Sequence, residues 1–367
     1  MFYGLNIAFF GSSLVSAYRN GAATYYRGIV RALAGRGHRI TFYEPDLCGR
    51  QQRRDLPDPD WARVIVYPGE GKDGVIRALA RASSADLVIK ASGVGVGDEW
   101  LERAVIELRQ PGMMVAFWDV DAPATLSRLE RNPDDPFREL IPRYDVIFTR
   151  GGGDSVVKTY RRLGARECAP VYNALDPTTH YPVARDPRFE ADLAFLGNRQ
   201  PDREARVEEF FLRPAAALPQ HRFLLGGDGW DDKPVTVNIN YIGHVGATDH
   251  NAFSSTPRAA LSVNCEGLVR YGCSPPPRVF EAAGAGTCLI ADAWKGIEAF
   301  FEPGREILVA RNGDEVIEQV KRLTMERARR IGVAARRRAL AEHTYARRAE
   351  QVESLLRGRC AAACGFV

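Results

Sequence analysis

Ser274–Asp292 reads SPPPRVFEAAGAGTCLIAD. Proline fixes φ and is tolerated in the first turn of a helix. The triplet therefore delivers the chain stiffly to a helix that carries Arg278 and Glu281 one turn apart. The AAGAG run behind them lets that helix lie close to a neighbouring sheet or to a ligand. TCLIAD then reads as a strand. An arginine in that place can pair with a diphosphate, and a glutamate can accept hydrogen bonds from ribose hydroxyls. An ordinary i, i+3 ion pair has the same spacing, so spacing alone leaves both readings open.

Outward from this stretch, helix and strand alternate along most of the chain. LNIAFF, HRITFYEP, ARVIVYP, DLVIK, MMVAFWD and DVIFTR read as strands in the first half. GAATYYRGIVRALAGRG has helical apolar spacing and a terminal glycine. Near Ala169 the pattern breaks into APVYNALDPTTHYPVARDPRFEAD, which is rich in Pro, Asp and Thr and reads as a linker. ADLAFLG, HRFLLGG, INYIG, AALSVN, TCLIAD and EILVA resume the alternation, with helices between them. Strands separated by crossover helices imply parallel sheets covered on both faces. A length of 367 residues suits two domains of roughly 150–200 residues each. The expected architecture is α/β, two doubly wound Rossmann-like domains: 1–172, then 173–344. A C-terminal helix and tail at 345–367 is expected to pack back on the first domain.

Composition excludes several classes. Hydrophobic residues make up 45% and charged residues 26%, as in ordinary soluble domains, and no apolar run has the ~18 residues that a membrane span needs. MFYGLNIAFFGSS lacks a basic leader and reads as a first strand, not a signal peptide. Formal net charge is +4, and six of the 50 basic residues are lysine, the rest arginine. Most are interleaved with acids, which argues against a nucleic-acid partner. MERARRIGVAARRRALAEHTYARRAE, 325–350, is the exception. It reads as a solvated helix face, with phosphates or peripheral contact with an anionic membrane as the alternative. Seven cysteines without a CxxC pair read as free thiols in a reducing cytoplasm.

In open parallel sheets ligands bind beyond the carboxyl ends of the strands. Gly11, Ser12, Asn20 and Gly21 follow the first strand and suit a phosphate loop or an acceptor site. Gly197, Arg199, Arg203, Gly227 and His244 follow strands of the second half and suit phosphates and sugars, although a satisfied structural histidine is the reading slightly preferred for His244. GVGVG and GGDGW lack the spacing or the following helix of a dinucleotide fingerprint. Asp119 and Asp121 of WDVD admit three readings: a cleft carboxylate that deprotonates a hydroxyl, a metal-holding pair, or a loop cap.

PPPRVFEAAGAGTCLIAD followed by GIEAFFEPGREILVA resembles the donor-binding segment of CgeB-like glycosyltransferases, relatives of the group-1 enzymes with the two-domain GT-B fold. VYNALDPTTHYP, ADLAFLGNRQPDR, FLLGGDGW and GAATYYRGIVRALAGRGHRITFYEPD are similar to further parts of that fold. The resemblance implies two domains facing across a cleft. A nucleotide-sugar donor would lie on the second and a sugar, glycan or small-molecule acceptor on the first. It implies no metal and no other cofactor. Gly197, Arg199, Arg203, Gly227, His244, Arg278 and Glu281 would hold the donor, and Asp119 or Asp121 would be catalytic. Many group-1 enzymes carry a second glutamate eight positions before the one matched by Glu281; here that position is Cys273. A nucleotide-sugar epimerase and a non-catalytic sugar-nucleotide or glycan-binding protein are the alternatives from other classes.

Overall fold

A computed structural model describes residues 4–18, 20–95, 97–264, 272 and 274–363. Cys273 lies outside them. The chain divides into two units, Met1–Asn173 joined by the segment from Tyr345 onward, and Ala174–Thr344.

The first unit holds β1 (Asn6–Phe10), α1 (Ala23–Gly35), β2 (Arg39–Asp46), β3 (Arg63–Pro68), α2 (Asp73–Ala82), β4 (Leu87–Ala91), α3 (Asp98–Glu107) and β5 (Met114–Asp119). These are followed by α4 (Ala122–Arg131), α5 (Phe137–Leu140), β6 (Val146–Thr149), α6 (Gly153–Arg162) and β7 (Cys168–Pro170). All pairings are parallel, in the order β3-β2-β1-β4-β5-β6-β7. The order reverses between β1 and β4, where Ile7 lies opposite Leu87. β7 lies where the sequence reads as the start of a linker. Its three residues carry a proline, tolerable at a sheet edge, where no ladder bond is lost.

The second unit holds β8 (Leu193–Leu196), α7 (Pro201–Val207), α8 (Arg213–Ala217), β9 (Phe223–Gly226), β10 (Ile239–Tyr241), α9 (His250–Ser255) and β11 (Ala259–Ser262). α10 (Pro277–Gly284), β12 (Leu289–Asp292), β13 (Leu308–Ala310), α11 (Gly313–Arg322) and α12 (Met325–Glu342) complete it. Its parallel sheet runs β10-β9-β8-β11-β12-β13 and reverses between β8 and β11. Both sheets thus have the strand order of a dinucleotide-binding α/β fold, with one switch point each. α7 does not continue straight into α8. A π-helical turn at Glu208–Leu212 joins them and places Phe210 and Phe211 in the core under Phe195 and Trp230.

Close backbone approach explains the small residues of the opening stretch. Pro276 is extended at φ −68°, ψ 152°, and leads into α10. A Cβ on Gly284 would stand 2.4 Å from the Leu175 side chain, and one on Gly332 only 1.9 Å from the Gly286 carbonyl oxygen. Larger residues would push α10 off residues 175–180 and α12 off the end of α10.

α13 (Tyr345–Ala363) belongs to the first unit. It is held by Arg36, whose guanidinium meets Glu353 at 2.7 and 2.8 Å. His38 Nε2 lies 3.1 Å from the same carboxylate while its Nδ1 accepts the Leu5 amide, so the hydrogen that faces Glu353 is on Nε2. α1 comes close because residue 28 is glycine: a Cβ there would lie 2.2 Å from the Tyr345 ring. Gly28→Ala should therefore cost about 1–3 kcal/mol by overpacking, read as a lower urea midpoint at unchanged slope. An unchanged midpoint would show that the Tyr345 ring swings aside freely.

Candidate functional site

Polar loops border the switch point of each sheet. In the first unit, the loops after β1, β4, β5 and β6 enclose a pocket of about 430 Å³ lined by Ser12, Asn20, Gly21, Ser92, Asp121 and Arg150, among others. Asn20 organises the first loop: its amide donates to the Ser13 carbonyl at 2.8 Å and its oxygen accepts the Ser12 hydroxyl at 2.9 Å. Gly11 is glycine because the Phe42 ring would stand 2.4 Å from a Cβ. Arg150 reaches the Gly21 carbonyl at 3.3 Å.

The two carboxylates of WDVD separate into different jobs. Asp119 is fully buried. Its oxygens accept from Tyr160 at 2.5 Å, Ser92 at 2.8 Å, Thr125 at 3.0 Å and the Asp121 amide at 3.1 Å. Burial pushes its carboxyl above the usual carboxylate range, and those hydrogen bonds pull the other way. With three hydrogen bonds on Oδ1, Tyr160 on Oδ2 and no exposed surface, Asp119 in this structure ties the loops after β4 and β5 to α6. Asp121 is exposed at the mouth of the pocket and caps α4 through the Ala124 amide at 3.3 Å. Among the described residues no group of three or more His, Cys, Asp or Glu side chains is arranged to hold a metal.

Sequence reasoning missed the buried charge that holds Asp98 and Glu102, two residues of the pocket's lining. Lys90, the last polar residue of an otherwise apolar strand, is fully buried. It meets Asp98 at 2.7 Å and Glu102 at 3.6 Å. Burial lifts the Glu102 carboxyl while Lys90 and then Arg128 draw it back. A lysine closing the run DLVIK was the available signal.

In the second unit, Gly197 and Gly227 bring the ends of β8 and β9 together. Gly227 has φ +115°, and a Cβ on it would lie 2.4 Å from the Gly197 carbonyl oxygen. The Trp230 indole donates to that oxygen at 2.8 Å and is itself buried. Arg203 donates to the Asn198 carbonyl at 2.6 Å. Arg199 is tied to Glu204 and to Asp232, each at 2.8 Å. With Lys233 it holds the Glu204 carboxyl down at about 2. Arg199 thus fastens the loop after β8 to the loop after β9, and a phosphate would have to displace both carboxylates to reach it. His244 is largely exposed, with Nδ1 3.5 Å from Asp228, and is not a buried structural histidine.

Arg278 and Glu281 stand in the first turns of α10. Arg278 Nε lies 3.6 Å from Glu281, beyond hydrogen-bonding distance. The helix has no side-chain cap and no acid in its first turn, so its N-terminal end keeps its partial positive charge. Sequence reasoning also missed His250, at the start of α9. Burial pushes its imidazole below the ordinary range, the Arg278 guanidinium pushes the same way, and Glu281 opposes both. Asp292 ends β12 with no exposure. It receives Arg206 at 2.5 Å and the Asn264 amide at 3.1 Å, which pins the start of the loop after β11.

With the geometry in place, the likeness to known proteins has a meaning. Residues 199–354 match the family described as Glycosyl transferase-like, which covers α7 through α12 and the start of α13. No curated protein matches the chain in sequence. Solved structures match over nearly its whole length. Sucrose-phosphate synthase from Thermosynechococcus elongatus is 15% identical with a TM-score of 0.68, covering 97% of this chain and 99% of its own. HepE from Anabaena, solved with UDP-glucose, is 12% identical at 0.64, covering 96% and 100%. An alpha-glucosyltransferase solved with UDP-glucose and DNA is 13% identical at 0.70, covering 96% and 100%. The fold is GT-B.

Two outcomes test this geometry. Asp119→Asn leaves a buried donor unpaired and should cost about 1–3 kcal/mol. Asp121→Asn keeps a good helix cap and should change stability by less than about 0.5 kcal/mol; equal losses in urea titrations would refute the division of labour. For His250 the sign follows from its lowered pKa. Below ~6.5 the unfolded ring takes a proton before the folded one does, so acidification destabilises the native state. His250→Gln should flatten the fall in unfolding free energy between about pH 7 and 5, and an unchanged slope would clear His250 of that role.

Proposed function

We propose that this chain is a metal-independent glycosyltransferase of the CgeB-like kind. It transfers a sugar from a nucleotide diphosphate donor to a hydroxyl acceptor. The reading is carried by one coincidence: the Glycosyl transferase-like match covers most of the unit in which Arg278 and Glu281, 3.6 Å apart and not hydrogen-bonded, head a proline-led helix beside the switch point. UDP-glucose in complexes of proteins with the same fold makes a UDP-sugar the first donor to try.

In this reading Arg278 and the free N–H groups of α10 take the diphosphate charge as it develops. Glu281 accepts the ribose hydroxyls. The backbone at Gly197 and Gly227 faces the donor, while Arg199 and Arg203 shape its loops. The acceptor occupies the 430 Å³ pocket of the first unit. Asp121 takes the proton of the acceptor hydroxyl, whose oxygen bonds to the anomeric carbon. The bond from that carbon to the diphosphate oxygen breaks, and the electron pair leaves with the nucleoside diphosphate.

Calorimetry with uridine, UDP and a UDP-sugar separates the roles. Losing a charged hydrogen bond costs about 1.5–3 kcal/mol, roughly tenfold to hundredfold in affinity. Arg278→Ala should weaken UDP by that factor and leave uridine nearly unchanged; Glu281→Gln should weaken both. Asp121→Asn should lower transfer at least about 100-fold with donor affinity intact, and a chelator should leave the wild-type rate unchanged. Donor turned into its epimer without any acceptor would establish the epimerase instead. Tight binding without turnover across acceptors would establish a binding protein. Unaltered affinities in folded Arg278 and Glu281 variants would overturn the donor site.

A further inference from the structure

We propose that the outer face of α12, with the cavity beside its first turns, docks on an anionic phospholipid bilayer. The inner face of this helix is apolar and small, with Ala328, Ile331, Gly332, Ala335 and Ala339 all buried. The opposite face breaks the usual rule for a solvated helix. Met325, Val333 and Leu340 are 49%, 61% and 36% exposed. Arg329, Arg330, Arg336 and Arg337 stand between and beside them. Positions 325, 329, 333, 336 and 340 follow the three- and four-residue steps of one helical stripe, so apolar and cationic side chains alternate along a single line.

The charge on this line is largely uncompensated. Arg330 meets Glu326 at 3.4 Å. Arg329, Arg336 and Arg337 have no acidic partner among the described residues. A cavity of about 540 Å³ opens beside the helix, lined by Met325, Arg329, Arg185, Arg258 and Thr256, among others. Arg185 is fixed at its rim by the Thr256 carbonyl at 3.2 Å, and Arg258 by the Val320 carbonyl at 3.1 Å and by Asp192 at 3.2 Å. Arg329 also lines a shallower hollow of about 330 Å³ with Val333 and Arg337. The two hollows share Arg329 and make a predominantly basic surface, in which Glu326 is the acid and apolar side chains stand at the centre.

This combination selects the partner. A nucleic acid rewards the arginines through its phosphates but gains nothing from Val333 and Leu340 in the solvent. A bilayer interface rewards both, because headgroup phosphates neutralise the arginines while the apolar side chains enter the acyl boundary. The cavity at Arg329 has the size of a small-molecule site and would take a headgroup phosphate. No helix among the described residues is long and apolar enough to cross a membrane, so the contact lies on the surface.

Co-sedimentation of the full chain with vesicles decides it. Wild-type protein should bind vesicles of phosphatidylcholine containing phosphatidylglycerol, and not pure phosphatidylcholine. Each arginine lost near an anionic surface weakens binding about fivefold, so R329Q/R337Q should lose roughly thirtyfold. V333S/L340S should lose about tenfold, and this loss should persist as salt is raised. R161Q/R162Q, on the exposed side of α6, is the charge control and should bind as wild type. Equal melting temperatures would show that all variants are folded. Absence of wild-type binding to anionic vesicles overturns the proposal, as does binding that R329Q/R337Q leaves intact. Binding to a DNA duplex that needs the arginines but not Val333 and Leu340, without vesicle binding, would assign the face to nucleic acid.

Discussion

Both units depend on one buried carboxylate at the same place. The fifth strand of each ends in an aspartate with no exposure, Asp119 on β5 and Asp292 on β12. Each reaches sideways to the loop that leaves the neighbouring fourth strand, Asp119 to Ser92 and Asp292 to Asn264. That loop borders the switch point, where the sheet order reverses and a ligand can enter. A buried carboxylate is costly unless its oxygens are filled, and burial lifts both carboxyls above their usual range. The donors that offset this cost are different. In the first unit they are three hydroxyls and an amide; in the second, an arginine and an asparagine. The constraint is shared while the chemistry that meets it has diverged, which is why the two halves show no visible sequence repeat.

Around these anchors the loops approach more closely than ordinary side chains permit. Gly227 stands against the Gly197 carbonyl, and Gly284 against Leu175. Such contacts fix the loops to within a methyl group, the tolerance that preorganised binding requires. They also separate two kinds of alanine–glycine run. The AAGAG that closes the opening stretch serves helix packing, through Gly284 and Gly286. The glycines nearest the candidate donor site lie elsewhere, at the ends of β8 and β9.

The sheets were legible in sequence because buried parallel strands are short apolar runs bounded by turn residues, and LNIAFF or MMVAFWD cannot easily be anything else. β7 was not legible: CAP is three residues long, and its proline signals linker as strongly as edge strand. The π-helical turn at 208–212 left no mark, since REARVEEFFL keeps helical apolar spacing on either side of it. In the candidate site, Arg278, Glu281 and Asp121 could be read because turn chemistry and strand ends locate them. Asp119 could be read as important but not as buried. Its exposure depends on Tyr160, 41 positions away in sequence, and no local pattern carries that information. His250 was hidden for the same reason. Its electrostatic neighbours come from α10, on a different stretch of chain.

Arginine dominates the basic residues, and the structure sorts it by how completely each guanidinium is satisfied. Arg199 has two carboxylates within hydrogen-bonding distance, and Arg206 has the buried Asp292. A phosphate arriving at either would have to replace an existing charged partner, so the exchange gains little and leaves a carboxylate uncompensated. Arg278 lies beyond hydrogen-bonding distance of its acid, and Arg329 and Arg337 have none among the described residues. For these a phosphate adds a charged hydrogen bond without removing one. Incomplete satisfaction, and not the count of basic residues, therefore separates arginines that hold the fold from those free to hold a ligand. By that criterion the second unit carries two anion-seeking places. One is at the carboxyl end of its sheet, where the chemistry of a nucleotide sugar is proposed. The other is along the outer face of α12, where Arg329, Arg336 and Arg337 have no acidic partner among the described residues.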